Sequence, residues 1–262
     1  MTRYSPWLLA LAALLGGCAN NPVPPESIGR IYSYVRSNQD GSNAETIHVF
    51  RGREDYLEVA KMRERCTDAA LVLAQLDIPT AQATKLVAGR LQRDGTQRAV
   101  GRLDWNAEGP QLDLRFLVDG RETTQSLKLA AVPWHLYDFD LASLAVPMRA
   151  KPKASFNFDL AMVWPDDPSR LLRYLGRAEA TFVREEDFLG RKAFLFDLGG
   201  PAFGNLGGPI WFDALEGHML GADLGLPNHP GSKDLRMRLT QIRQGGRPTW
   251  HRLLTSHYYA CP

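Results

Sequence analysis

Six histidines are scattered along the chain, at His48, His135, His218, His229, His251 and His257. The densest polar group is Asp213, Glu216, His218, Asp223, Asn228 and His229. Side chains of these types bind divalent metals or activate water for hydrolysis. Their spacing matches no ligand pattern, and the chain has neither a His-Glu-x-x-His helix signature nor a Gly-x-Ser-x-Gly elbow. The stretch reads as a turn-rich connection in which polar residues are ordinary. The glycine-rich run from Gly199 to Gly208 would need a Gly-Lys-Ser/Thr ending and a following helix to cradle phosphate. Pro209 and the strand-like Ile210-Trp211-Phe212 follow instead, so it reads as a flexible β connection. The sequence predicts no catalytic residues, no metal ligands and no cofactor.

The three cysteines, Cys18, Cys66 and Cys261, carry the remaining chemistry. Cys18 ends a segment with Arg3 as its only charge and an apolar run from Trp7 to Leu15, a secretory signal in outline. That run is far shorter than the ~20 apolar residues needed to span a bilayer. Leu15-Gly16-Gly17-Cys18 resembles the lipobox of bacterial lipoproteins. The resemblance implies that residues 1–17 are removed as a signal peptide and that the Cys18 thiol is acylated with diacylglycerol (palmitate-type chains). Ala19 follows where an Asp would retain the protein in the inner membrane, which implies an outer-membrane anchor with the body in the periplasm. Each buried methylene contributes about 0.8 kcal/mol, so several chains anchor effectively permanently. Residues 18–27, with Pro22, Pro24 and Pro25, read as a semi-rigid tether. In an oxidising compartment Cys66 and Cys261 suggest one disulfide; two free thiols or an intermolecular bridge are the alternatives.

These groups must be positioned by the body, residues 28–262, which reads as a single β-rich domain. Most segments alternate with period two. Ile31 to Arg36 and Thr46 to Arg51 flank a turn centred on Asp40-Gly41. Leu86 to Leu91 and Ala99 to Trp105 flank Asp94-Gly95, and Leu112 to Phe116 turns through Asp119-Gly120 into Thr123 to Leu129. Ala69 to Asp77 fits a buried strand or a short helix. Asp166-Asp167-Pro168-Ser169 predicts a short helix ending at Gly176, with Leu171, Leu172 and Leu175 inward. Trp250 to Tyr259 reads as a long final strand with His251 and His257 on one face. Residues 132–153 break the rhythm and are too apolar for a solvated linker; they predict a crossover or lid lying over the sheet. About a dozen strands in hairpins predict a mainly β fold, a curved antiparallel sheet as an open or half-barrel, with a sandwich as the alternative and one or two short helices.

Lys and Arg total 31 against 29 Asp and Glu, a net charge of +2. Near-neutrality argues against nucleic acid as the main partner. Arg90, Arg93, Arg98 and Arg102 surround one hairpin and read first as a solvated rim, second as a contact for a lipid head-group or acidic partner. The aromatics Trp134, Tyr137, Phe139, Phe156, Phe158 and Trp164 are core candidates that would line the concave side of an open sheet.

Two cues in the body, Phe188-Leu189-Gly190-Arg191 between strands and Gly207-Gly208-Pro209-Ile210-Trp211-Phe212-Asp213, resemble uncharacterised proteobacterial periplasmic families with a curved antiparallel sheet. Related curved sheets include periplasmic carriers that shield lipoprotein acyl chains, from which no functional residue transfers. The expected function is a non-enzymatic one: an anchored lipoprotein binding a lipid or other apolar ligand in its concave sheet. A structural lipoprotein docking on an envelope protein or the cell wall is the second expectation. An envelope hydrolase using Asp213, His218 and His229 is the third.

Overall fold

A computed structural model describes residues 28–118, 120–148 and 153–262. Cys18, the lipobox expected around it and the tether expected at residues 18–27 lie outside the described residues. The first half of the chain is a meander of eight strands: β1 (Ile31–Ser37), β2 (Glu45–Arg53), β3 (Tyr56–Met62), β4 (Ala70–Leu76), β5 (Ala83–Leu91), β6 (Gln97–Asn106), β7 (Gln111–Val118) and β8 (Arg121–Lys128). A crossover follows, with β9 (Trp134–Leu136), two single 3₁₀ turns and the one-turn helix α1 (Ala145–Met148). The second meander runs through β10 (Phe156–Val163), β11 (Leu172–Phe188), β12 (Arg191–Gly199), β13 (Gly208–Asp213), β14 (Met219–Leu224) and β15 (Leu235–Arg243), and helix α2 (Gly246–Ser256) ends the fold.

All strands belong to one sheet, in the order β8-β7-β6-β5-β4-β3-β2-β1-β15-β14-β13-β12-β11-β10-β9. The first and last long strands therefore meet in the middle, where β1 pairs antiparallel with β15. Every pairing is antiparallel except that of β9 with β10. This is the expected curved open sheet; the sandwich is not what forms. The sheet curls until its two ends approach, but side chains rather than a ladder join them. Gln125 on β8 donates to the Pro168 carbonyl at 3.2 Å and accepts from the Leu172 N–H at 2.9 Å. Asp159 on β10 accepts the N–H groups of Ala130 and Ala131, both at 2.8 Å.

Inward positions follow the two-residue period. On β3, Leu57 and Val59 face the concave side while Ala60 and Met62 face outward, and the two sets belong to different cores. The concave core takes in the crossover: Tyr137, Phe139, Leu141 and Leu144 are buried in it. Trp134, Leu136, Ala142 and Met148 join them in that core, and residues 149–152 are outside the described set. A second core on the convex face packs Trp250, Leu253 and Leu254 of α2 against Ile31, Phe50, Ala60 and Leu71. The disulfide between Cys66 and Cys261 pins the end of this element to the turn after β3, closing a separation of 195 residues.

Two local expectations are corrected and one open alternative is settled. Residues 250–256 are helical, because Trp250, Leu253 and Leu254 recur at helical spacing and put one apolar stripe on the sheet. His251 and His257 thus sit on and beside a helix; His251 Nε2 lies 3.0 Å from the Asp94 carbonyl and His257 Nε2 lies 2.9 Å from that of Thr67. The helix expected after Asp166 is a single 3₁₀ turn, Pro168–Arg170. Leu172 already starts the 17-residue β11, whose ladder with β10 outweighs the local helix signals. Ala70–Leu76 is a strand, buried between β3 and β5.

Candidate functional site

The concave face is not filled everywhere. Between β3–β7 and the crossover runs an apolar groove of ≈ 390 Å³. Its origin is one row of residues across the ladder, Val72, Ala88, Gly101 and Phe116, in register on β4, β5, β6 and β7. The two small members leave a hollow between the larger ones. One row deeper, Ala74, Leu86, Leu103 and Leu114 close the floor. Leu136 and Phe139 of the crossover, with Val163 and Pro165 after β10, make the opposite wall. Gly101 leaves room for the neighbouring ring: a Cβ there would sit 2.5 Å from Cδ2 of Phe116, so that ring would have to shift.

Charged groups ring the open end: Lys61, Arg63, Arg90 and Arg102 against Glu45, Asp68 and Asp138. Arg90 pairs with Asp68 at 3.5 Å and Arg102 with Asp104 at 2.5 Å, both on exposed side chains. Such pairs contribute little to stability. Lys61 is different. Its ammonium lies 2.8 Å from Asp140 Oδ2 and 3.0 Å from His229 Nε2, and it donates to the Asp138 carbonyl. Asp140 also pairs with Arg36 at 3.2 Å and accepts from Asn228 at 2.9 Å. Arg36 in turn contacts Glu45 and His229. Burial opposes the charge on Asp140, but Lys61 and Arg36 outweigh it and hold the carboxyl well below the usual range. The same burial, with Lys61 and Arg36 adjacent, pushes His229 well below its ordinary value and keeps it neutral. Asp138, two residues earlier and facing the groove, is desolvated enough to be pushed up to about 6, despite Lys61 and the Val163 N–H it accepts at 2.9 Å.

The six residues that looked like a polar centre in the sequence divide into three places. Asp213, Glu216 and His218 meet at the β13–β14 turn, where Arg191 lies 2.6 Å from Asp213 and Arg30 lies 2.5 Å from Glu216. His218 stacks on Tyr32 with ring centroids 4.5 Å apart, and burial lowers it to about 4. Asp223 pairs instead with Arg236 at 3.0 Å and Arg238 at 2.5 Å. Asn228 and His229 join the Asp140 network. None of the six lines the groove. Among the described residues no group of His, Cys, Asp and Glu is arranged to hold a metal ion. No helix among them is long and apolar enough to cross a membrane.

Of the six aromatics singled out, Phe139 lines the groove. Trp134, Tyr137 and Phe158 are fully buried behind it, and Phe156 and Trp164 pack against the same core. The sequence reading missed Arg36, Lys61, Asp138 and Asp140. A signal existed for Lys61, which shares the alternation of Leu57 and Val59 and so must face the concave side.

No family model matches the chain, and no curated protein matches it. Among solved structures, a crystal structure of MucB is similar with 13% identity over 84% of this chain, at a TM-score of 0.28. The match covers 55% of that chain, so this protein spans about half the length of that neighbour.

Proposed function

We propose that this protein is a binding module of a bacterial envelope that holds the apolar part of a lipid or similar ligand in the groove between β3–β7 and the crossover. Acylated Cys18 anchors it in the outer membrane, and the body, residues 28–262, works in the periplasm as one domain. One observation carries the binding role: an apolar groove of ≈ 390 Å³ stays open on the concave face. Its size lies in the ~300–1,000 Å³ range of small-molecule sites. Contiguous apolar surface of this kind is costly to leave in water and marks an interaction site.

A hydrolase is the weaker reading. Asp213, Glu216 and His218 are compensated by Arg30 and Arg191 and lie outside the groove. The hollow that Glu216 and His218 do line, beside Tyr32 and Met219, is only ≈ 30 Å³, too small for a drug-sized substrate.

The test is native mass spectrometry of the full chain extracted from membranes, with displacement of a fluorescent fatty acid as the second measurement. Ala70 and Ala88 both line the groove. The double variant Ala70→Trp with Ala88→Trp is expected to lose bound lipid while keeping its far-ultraviolet circular dichroism. A wild-type chain that carries no lipid and displaces no probe would remove the binding role. The anchor is tested separately: labelled palmitate enters the wild type and not Cys18→Ser, and the variant leaves the membrane fraction. If Cys18→Ser stays with membranes, the anchor reading is lost.

A further inference from the structure

Resting on that reading, we infer that the ligand is a single-chain carboxylate amphiphile, with one acyl tail in the groove and its carboxylate at Arg63. Three observations lead there.

The first is volume. A groove of ≈ 390 Å³ lies near the lower end of the ~300–1,000 Å³ range of small-molecule sites. That suits one hydrocarbon tail, not a bundle of two or three.

The second is charge. The cations at the open end are matched inside the protein, Lys61 by Asp140, Arg90 by Asp68 and Arg102 by Asp104. Of the acids there, Glu45 is taken by Arg36, whereas the Asp138 carboxyl accepts only the Val163 N–H among the described residues, which leaves its charge unneutralised. Arg63 lines the same end, is exposed, and has no ion-pair partner among the described residues. That guanidinium can take one negative charge from a ligand. Its planar fork matches a carboxylate in two parallel hydrogen bonds. A phosphate dianion would bring a second negative charge toward Glu45 and Asp138, which line the same end.

The third is the backbone. Strands β3 to β7 are each paired on both sides, so the groove offers no free ladder edge. A peptide laid there would bury N–H and C=O groups without partners, at a cost of several kcal/mol in sum. A hydrocarbon tail has none to satisfy.

The experiment titrates the full-length protein with dodecanoate, dodecanol and dodecyl phosphate by calorimetry. Dodecanoate is expected to bind one per chain and about tenfold tighter than dodecanol, the effect of one charge-assisted contact. Arg63→Gln brings dodecanoate down to the level of dodecanol and leaves dodecanol unchanged. Arg98→Gln, a neighbouring exposed arginine outside the groove, changes neither. Equal binding of acid and alcohol, untouched by Arg63→Gln, overturns the carboxylate while the groove survives. Tighter binding of dodecyl phosphate overturns the choice of anion, and two or more chains per protein overturns the single tail. If no amphiphile binds at all, the groove reading itself fails.

Discussion

Lys61 Nζ lies 2.8 Å from Asp140 Oδ2, and through that pair the third strand of the sheet holds the crossover from within the core. The Asp140 side chain is completely inaccessible, and Arg36 and Asn228 complete its shell. Removing one partner of such a group leaves buried charge uncompensated, typically at about 3–5 kcal/mol. Asp140→Ala is therefore expected to lower unfolding stability by about that much in urea titration. Arg53→Ala, which breaks an exposed pair with Asp55, should change it by less than about 1 kcal/mol. Equal effects of the two variants would show that the crossover is held by apolar packing alone.

Acid is expected to destabilise the fold below pH 6.5. Burial lowers His48 and His218 to about 4 and His135 to about 3, each from an ordinary 6.5. A base whose folded value is depressed stabilises the fold in full above 6.5 and loses that contribution as pH falls toward the folded value. Each such histidine adds about 1.4 kcal/mol per pH unit to the slope. Asp138 works the other way: raised to about 6, it holds its proton better when folded, so falling pH through 6 toward 3.8 favours the native state through this group. With His229, also held well below its ordinary value by burial, four histidines outweigh one acid, and stability measured in urea should fall between pH 6.5 and 4.5. His135→Asn should reduce the slope by one proton, and a flat profile in the wild type would contradict the burial of these rings.

The Cys66–Cys261 bond spans 195 residues of sequence and fixes the chain beyond α2 to the turn after β3. Removing a native disulfide typically costs about 2–5 kcal/mol. Cys261→Ser is expected to lose that much under oxidising conditions. Hydrogen exchange should rise first in α2, whose Trp250 stacks on Phe50 at 5.3 Å and donates to Glu58 at 2.6 Å. Unaltered protection in α2 would show that the second core holds the helix without the bond.

The hairpins were legible because turn chemistry is local. Leu189-Gly190 turns with φ of 51° and 71° where the residues call for a tight hairpin, and Gly41 and Gly95 take left-handed values after their aspartates. The helix at Trp250 was misread because its aromatic and β-branched residues favour strands, and only its packing partners on the convex face reveal which period matters. The polar network was half legible. Alternation places Lys61 inward, but nothing near it in sequence announces Asp140, which arrives through the long crossover. The groove was illegible because it depends on register: Ala88 and Gly101 are unremarkable until the ladder sets them side by side.

That register makes Gly101 the most direct control on the groove. A methyl group there would lie 2.5 Å from Cδ2 and 2.9 Å from Cε2 of Phe116, so the ring must move. The strand behind it is fixed by its ladder, which leaves the hollow in front as the space available. Gly101→Ala should cost about 1–3 kcal/mol, the usual range for overpacking. It should also weaken fatty-acid binding in proportion to the volume lost. Gly101→Ala with Phe116→Leu makes room for the methyl and should restore both stability and binding. Rescue of stability without rescue of binding would mean that the Phe116 ring itself touches the ligand.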